Sequence, residues 1–416
     1  MNLKNFKSLA VTVVATAFFV SCSQDEAREQ PMDEELVAPS SANIIEGQYI
    51  VVFNKDITGS ASSKYPESYT KAQEEVANTT KRVLNDANIP ETELIAVYSK
   101  TINGAALKLT LKQVEALRGK KEIAFIEEDR IVQFAPPCGT PNGGPCDGDP
   151  GDGDTGGGDS AQDVPYGIVR VNGVASYTGS NVAWVIDSGI DTDHPDLNVD
   201  ASRGFNAFTS GRDGKSTDDG NGHGTHVAGT IAALNNDFGV VGVAPGAVVV
   251  PVKVLDSRGS GSYSGVIAGV DHVAAYGSAG DVANMSLGGP ISDALDNAVL
   301  SASENGIIFA LAAGNESSDA NNSSPARVNG PNIVTISAMD ANDNWASFSN
   351  YGNPPVDYAA PGVAVNSTWK DGGYNSISGT SMASPHAAGV LLLGSASTDG
   401  TVNGDPDGTA DAIIVH

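Results

Sequence analysis

A chain of 416 residues, 40% hydrophobic and only 18% charged, has room for two or three packed domains and is not the composition of a disordered protein. Its net charge of −27 argues against a nucleic-acid partner, because a phosphate backbone demands clustered Lys and Arg. The same acidity favours solubility and suits calcium, which takes carboxylate and carbonyl oxygens.

The first 22 residues read as an export segment. Lys4 and Lys7 form a basic start, and residues 8–20 are apolar but short for a bilayer span. Phe19-Val20-Ser21-Cys22 resembles a bacterial lipoprotein cleavage box, with Cys22 as the lipidated first residue; the alternative is an ordinary signal peptide cut nearby. Either way the protein is exported, secreted or held at the cell surface.

Residues 44–135 form a first domain. A strand run, Gln48-Tyr49-Ile50-Val51-Val52-Phe53, is followed by a polar helix over residues 71–88 and a strand over 105–109. A helix over 112–118 and a last strand, Ile123-Ala124-Phe125-Ile126, complete it. This order predicts a small α+β unit, an open sheet with helices on one face.

Residues 136–162 are rich in Gly, Asp and Pro and cannot bury enough surface to fold alone, so they form a linker. Cys138 and Cys146, nine positions end to end, can close a small disulfide loop in an oxidising compartment. Two thiols without a nearby His are too few for zinc.

Residues 163–416 alternate apolar strand runs with Ala- and Gly-rich helical runs. The clearest strands lie at residues 182–186, 248–254, 282–285, 307–310 and 333–336. The pattern predicts an α/β fold, a mostly parallel sheet with helices on both faces, whose working residues gather at the carboxyl ends of strands.

Three polar segments fall where such a fold would use them. Asp187 ends the run Val182-Ala183-Trp184-Val185-Ile186. His223 precedes an apolar helical run in Asn221-Gly222-His223-Gly224-Thr225-His226. Two histidines three apart without a Glu base do not make the His-Glu-x-x-His zinc motif. Ser381 stands in Gly379-Thr380-Ser381-Met382-Ala383-Ser384-Pro385, and Pro385 is tolerated only near a helix start, where free N–H groups and the helix dipole stabilise a forming anion. Taken singly, the Asp is a strand-end turn residue and the Ser a helix cap.

Together and in this order, the three segments resemble the subtilase superfamily of serine proteases, whose Asp, His, Ser order they share. The resemblance implies that Ser381 is the nucleophile, His223 the general base and Asp187 the residue that orients the imidazole. Asn315, in Ala312-Ala313-Gly314-Asn315-Glu316, matches the family's side-chain oxyanion donor. Ser286, Leu287, Gly288 and Gly289 match its extended substrate-binding strand. Gly259, Ser260, Gly261 and Tyr263 resemble the second binding segment, in the manner of the proteinase K branch, with Tyr263 as a subsite wall. Ala312 and Gly314, with Ser324-Pro325-Ala326, line the pocket and carry no charge to select Lys or Arg, which implies broad cleavage after apolar or aromatic residues. His194, His226 and His386 read as structural.

Gly47-Gln48-Tyr49-Ile50-Val51-Val52 and Ala124-Phe125-Ile126-Glu127-Glu128-Asp129 resemble the ends of the family's inhibitory prodomain, which assists folding and occupies the cleft until removed. The implied partners are protein or peptide substrates and the chain's own prodomain, in a monomer. Catalysis needs no cofactor, and structural calcium is expected. Asp191, Asp193 and Asp196 are candidate ligands without an assigned site, and the loop 403–408 has calcium-like spacing but Ile414 where a Glu is required. If Cys22 carries lipid, self-cleavage would also free the enzyme from its anchor. The competing readings are a peptide ligase or cyclase using the same residues, and a non-catalytic binding module.

Overall fold

The computed structural model describes residues 43–133 and 161–416, apart from Glu91, Ala175 and Ser395. The export segment with Cys22 and the linker with Cys138 and Cys146 lie outside the described residues.

The N-terminal domain is built from β1 (Ile44–Phe53), α1 (Tyr69–Asp86), β2 (Leu94–Tyr98), β3 (Gly104–Lys108), α2 (Leu111–Arg118) and β4 (Ile123–Gln133), with the sheet order β2-β3-β1-β4. It has one strand more than the sequence suggested, since β2 joins as the outer partner of β3. The continuous apolar run in β1 follows from burial on both faces. Tyr49, Val51 and Phe53 pack with Val76, Val83, Val114 and Leu117 beneath the two helices. Ile50 and Val52 point the other way, into the core of the C-terminal domain with Val266 and Ile267. A slip of one residue would exchange these two sets, so register is fixed by both cores.

The C-terminal domain centres on a nine-stranded sheet containing β5 (Ala183–Asp187), β6 (Phe205–Asn206), β7 (Val249–Lys253), β9 (Val282–Met285), β10 (Ile308–Ala312), β11 (Ile333–Met339), β12 (Val356–Pro361), β13 (Ser397–Thr401) and β14 (Ala412–Val415). The order is β13-β14-β12-β11-β10-β9-β5-β7-β6. All neighbours pair in parallel except β13, which returns antiparallel to β14.

On β5, Ala183 and Val185 face a core shared with α3 (His223–Ala232) and α6 (Thr380–Leu393). Trp184 and Ile186 face a second core with α4 (Tyr263–Tyr276) and α5 (Asp293–Ser303). Helices on both faces and a mainly parallel sheet are therefore as the sequence predicted. The two-sided burial explains why β5 reads as an unbroken apolar run that stops at Asp187. A short strand, β8 (Ser260–Ser262), lies outside this sheet and pairs with β4 of the N-terminal domain.

Candidate active site

Asp187 and His223 are brought together by the carboxyl end of β5 and the first residue of α3. His223 Nδ1 lies 2.9 and 3.0 Å from the two Asp187 carboxylate oxygens, and both residues are buried. Asp187 also accepts the N–H of Ser188 at 2.7 Å.

The start of α3 has no side-chain cap of its own. Gly222 holds the cap position at φ +114, and a Cβ there would strike the Trp369 ring at 2.3 Å. The free N–H groups are taken by nearby side chains: His223 donates to Asn221 Oδ1 at 3.2 Å, Gly224 to the Ser188 hydroxyl at 3.0 Å and Thr225 to Asp219, which organises the turn. Asp219 accepts with Oδ1 from Asn221 and Gly222, and with Oδ2 from the N–H and hydroxyl of Thr225, at 2.7–2.9 Å. Asp219 Oδ1 also accepts the Ser188 hydroxyl at 2.9 Å, tying the end of β5 to the start of α3.

Ser381 is the second residue of α6. Pro385, four residues on, has no N–H, so the Ser381 carbonyl has no donor from the helix. That carbonyl accepts the Ser286 hydroxyl at 2.8 Å, while Ser381 Oγ donates to the Ser286 carbonyl at 3.2 Å. The proline thus leaves open the bond that locks α6 to the segment after β9.

Asn315 follows β10. Its Oδ1 accepts the N–H and hydroxyl of Thr380 at 2.9 and 3.0 Å, which fixes which end of the amide faces the cleft. A Cβ on Gly379, beside Ser381, would lie 3.5 Å from Asn315 Nδ2. Ser381, Asn315, Ser286, Leu287, Gly288, Gly289, Ala312 and Gly314 line one cleft, together with Ala313, Glu316, Ser323, Ala326, Thr380 and, from the N-terminal domain, Gln133.

Glu316 adds a carboxylate next to the uncharged segments expected to line the pocket. It lines the cleft, and its carboxylate accepts Asn350 Nδ2 at 2.7 Å. The sequence shows it directly after Asn315, but only the fold reveals that the turn returns it to the cleft.

Gly259, Ser260, Gly261 and Tyr263 belong to the edge that receives the N-terminal domain. Ile131, Val132 and Gln133 pair antiparallel with Ser262, Gly261 and Ser260. Val132 is fully buried in the core that contains Tyr263 and Leu287. Gly261 is required here, since a Cβ would lie 2.2 Å from the Val254 carbonyl.

Three carboxylates flank this strand, Asp129 and Asp271 buried and Glu127 half-buried. Asp129 Oδ1 accepts the N–H of Ser264 in the first turn of α4 at 3.1 Å, and its Oδ2 accepts Gln48 Nε2 at 2.5 Å. Glu127 accepts the Ser292 hydroxyl and the Ala294 N–H at the start of α5, at 2.5 and 3.3 Å. In the opposite direction, Asp271 of α4 accepts N–H groups of Ser99, Lys100 and Thr101 and the hydroxyls of Thr101 and Tyr69, at 2.8–3.1 Å. Burial pushes all three carboxyls above the ordinary range, against the pull of these donors.

Three further histidines sit in structural bonds. His194 meets the Gly373 carbonyl at 3.0 Å, His226 that of Val365 at 2.9 Å and His386 that of Met382 at 2.8 Å. Burial lowers His226 to about 3 and His386 to about 4.

Away from the cleft, Gln162 Nε2 lies 2.7–3.3 Å from four oxygens: the carbonyls of Leu234, Phe238 and Val240, and Asn236 Oδ1. Asp196 adjoins them, accepting Asn236 Nδ2 at 2.8 Å and the Val240 N–H at 3.1 Å. Asp191 instead accepts the Gly372 N–H. Asp405 and Asp407 accept N–H groups of their own loop. Among the described residues no three His, Cys, Asp or Glu side chains gather as a metal site, and no helix is long and apolar enough to cross a membrane.

Residues 179–402 match the subtilase family, and residues 48–135 match peptidase inhibitor I9. Subtilisin NAT of Bacillus subtilis subsp. natto is 44% identical over 301 residues, 70% of this chain and 70% of its own. An alkaline protease of Shouchella clausii is 39% identical over 393 residues, 93% of this chain and 88% of its own. Among solved structures, a cold adapted subtilisin-like serine proteinase superposes with a TM-score of 0.52 at 38% identity, covering 61% of this chain and 98% of that one. The Asp187–His223 pair heads a helix that shares a core with α6, α6 carries Ser381 into a cleft entered by a strand of an I9 domain, and likeness runs along both domains: the chain belongs to the subtilase family as a subtilisin-type serine endopeptidase with an I9 prodomain.

Proposed function

We propose that the chain is the zymogen of an exported endopeptidase that hydrolyses peptide bonds through an acyl-enzyme on Ser381. The observation that carries the reading is the buried Asp187–His223 pair on a helix packed with α6, whose Ser381 lines a cleft together with the end of the prodomain strand. A serine hydroxyl is a weak nucleophile until a base removes its proton. Ser381 Oγ attacks the substrate carbonyl as His223 Nε2 takes the proton, and Asp187, bonded at Nδ1, holds that tautomer and stabilises the imidazolium. Asn315 Nδ2 and the Ser381 N–H at the start of α6 receive the negative charge on the carbonyl oxygen. His223 returns the proton to the leaving amine as the C–N bond breaks, and water repeats the sequence on the ester.

The antiparallel pairing of Val132 with Gly261 supports two further parts of this reading. Substrates add a strand to the same edge, with an apolar residue in the place of Val132. The prodomain inhibits by occupying that edge, and maturation cuts between Gln133, which is still in the cleft, and Gln162, which is already tied to the catalytic domain. If Cys22 is lipidated, the same cut releases the enzyme from its anchor. Apart from Glu316 the cleft is lined by Ala, Gly, Leu and uncharged polar residues, which supports apolar and aromatic residues before the cut.

Structural calcium is assigned to the loop around Gln162. Four oxygens converge on one amide nitrogen that has only two hydrogens to give, a set better matched by a hard cation than by an N–H₂ group. Asp196, Asn236, Gln162 and the carbonyls of Leu234, Phe238 and Val240 would hold it. Its part is to fasten the start of the catalytic domain, not to take part in the chemistry.

The test is labelling with a serine-directed sulfonyl fluoride followed by peptide mapping, beside product analysis of a cleaved peptide with an added amine. Modification at Ser381 and hydrolysed products are expected. Loss of activity with modification elsewhere would remove Ser381 from its role, and predominant transfer to the amine would make the protein a ligase.

A further inference from the structure

Lys253, the last residue of β7, is 1% exposed, and a buried ammonium is costly unless it is paired and hydrogen-bonded. Its neighbours lie at the catalytic strand. In the parallel pairing of β5 and β7, Lys253 stands directly opposite Asp187, and residues in register on adjacent parallel strands, about 5 Å apart, project to the same face. Its Nζ donates to the Ser188 carbonyl at 2.6 Å and lies 3.4 Å from Asp213 Oδ1. The two residues that follow it hold the preceding carbonyl: Val254 and Leu255 both donate their N–H groups to Asp187, at 2.8 and 3.1 Å.

The segment that bears the Asp187 carboxylate is therefore fixed by consecutive contacts. Its two carbonyls are held by residues 253–255, and the Ser188 hydroxyl is held by Asp219. The charged and titratable groups around it are Asp187 on β5, Asp213 and Asp219 in the loop before α3, Lys253 on β7, and His223 and His226 on α3. Three carboxylates in this set make a positive charge at Lys253 the complement that the segment needs.

We propose that Lys253 is a positioning residue for the reaction: through the Ser188 carbonyl it sets the direction of the Asp187 carboxylate toward His223, and its charge tempers the pull of that carboxylate on the imidazolium. The proposal rests on the assignment of Asp187, His223 and Ser381 given above. It differs from a purely structural ion pair in its consequences. Asp213 is the partner in the ion pair, but it has no direct bond to the Asp187–Ser188 segment. Its own carboxylate is held by the N–H and hydroxyl of Ser257, at 2.9 and 3.3 Å.

The experiment compares Lys253→Met, Lys253→Gln and Asp213→Asn with the wild type, counting active sites by sulfonylation of Ser381 and recording kcat, KM and the pH profile of kcat/KM on a small chromogenic peptide. Per active site, Lys253→Met should lose about tenfold in kcat with KM within about twofold, as expected when a catalytic group is misplaced rather than removed. Without the nearby cation the imidazolium is easier to form, so the acid limb should move up by about half a pH unit. Lys253→Gln should keep part of kcat, because its amide can still donate, but should show the same move of the limb. Asp213→Asn should leave kcat close to wild type and move the limb slightly down, opposite to the Lys253 variants.

Unchanged kcat and limb in folded Lys253→Met, or a loss in Asp213→Asn equal to it, would overturn the proposal. So would failure of both Lys253 variants to fold, which would make the residue a structural one. Ser381→Ala separates this from the underlying reading: if that variant remained active, the triad itself would be wrong whatever Lys253 does.

Discussion

His223 presents Nδ1 to both carboxylate oxygens of Asp187, at 2.9 and 3.0 Å, with neither residue open to solvent. This arrangement needs a negative acceptor on that side of the ring. Asp187→Asn keeps the shape and reverses the tautomer preference, so kcat should fall on the order of 10⁴-fold with little change in KM, the size of effect known for this change in serine proteases. Steady-state kinetics on a chromogenic peptide checks it. A loss under tenfold would show that the pair does not orient the base.

Asn315 spends its Oδ1 on Thr380, so only its Nδ2 is left to donate into the cleft. Asn315→Ala should lower kcat by about 10²–10³-fold with KM nearly unchanged, the magnitude established for the corresponding donor in subtilisin. If KM rose while kcat held, the residue would be binding the ground state.

The prodomain interface carries a pH dependence whose sign follows from burial. Asp129, Glu127 and Asp271 have raised values in the complex and would return to the ordinary carboxylate range, about 4, once separated. Association therefore takes up protons. Affinity is lowest above the raised values and grows as pH falls through them toward the ordinary range. Inhibition of mature enzyme by a polypeptide of residues 43–133 should be tighter at pH 5 than at pH 8, and Asp129→Asn should flatten the trend. Tighter inhibition at pH 8 would contradict it.

The buried histidines act in the opposite sense on the stability of the catalytic domain. His226 and His386 stay neutral in the fold down to about 3 and about 4, but protonate near 6.5 when unfolded. Each withdraws about 1.4 kcal/mol of stability per pH unit below 6.5. Asp405, pushed up to about 6, offsets part of this, as do Asp191, Asp196, Asp296, Asp357 and Asp411, whose carboxyls burial also raises. Urea midpoints of mature Ser381→Ala should fall from pH 7 to pH 5; a constant midpoint would refute the assignment.

If calcium binds at Asp196, Asn236 and Gln162, chelation should lower the melting temperature of mature Ser381→Ala by about 10 °C, the effect of losing about 4 kcal/mol of ligand stabilisation from a domain of this size. Asp196→Ala should start low and show no further change with chelator. A drop of equal size in that variant would place the ion elsewhere.

Much of this was legible in the sequence because it is local. The run that stops at Asp187, the glycine before His223 and the proline after Ser381 each carry a short-range physical reason for their place. What escaped depends on distant partners. Leu94-Ile95-Ala96-Val97-Tyr98 has no alternation to mark it as a strand, and β13, exposed at every residue, exists only through its pairing with β14. Asp219, Lys253 and Glu316 look like ordinary polar residues until the fold sets them beside Ser188, the Asp187 segment and the cleft.

Removal of the prodomain by Ser381 itself is read directly from intact mass over time of the full precursor and of Ser381→Ala, each incubated with calcium. The wild type should lose its N-terminal part, with a new N-terminus between residues 134 and 162, while the variant stays whole. Cleavage of the variant at the same position and rate would contradict the account.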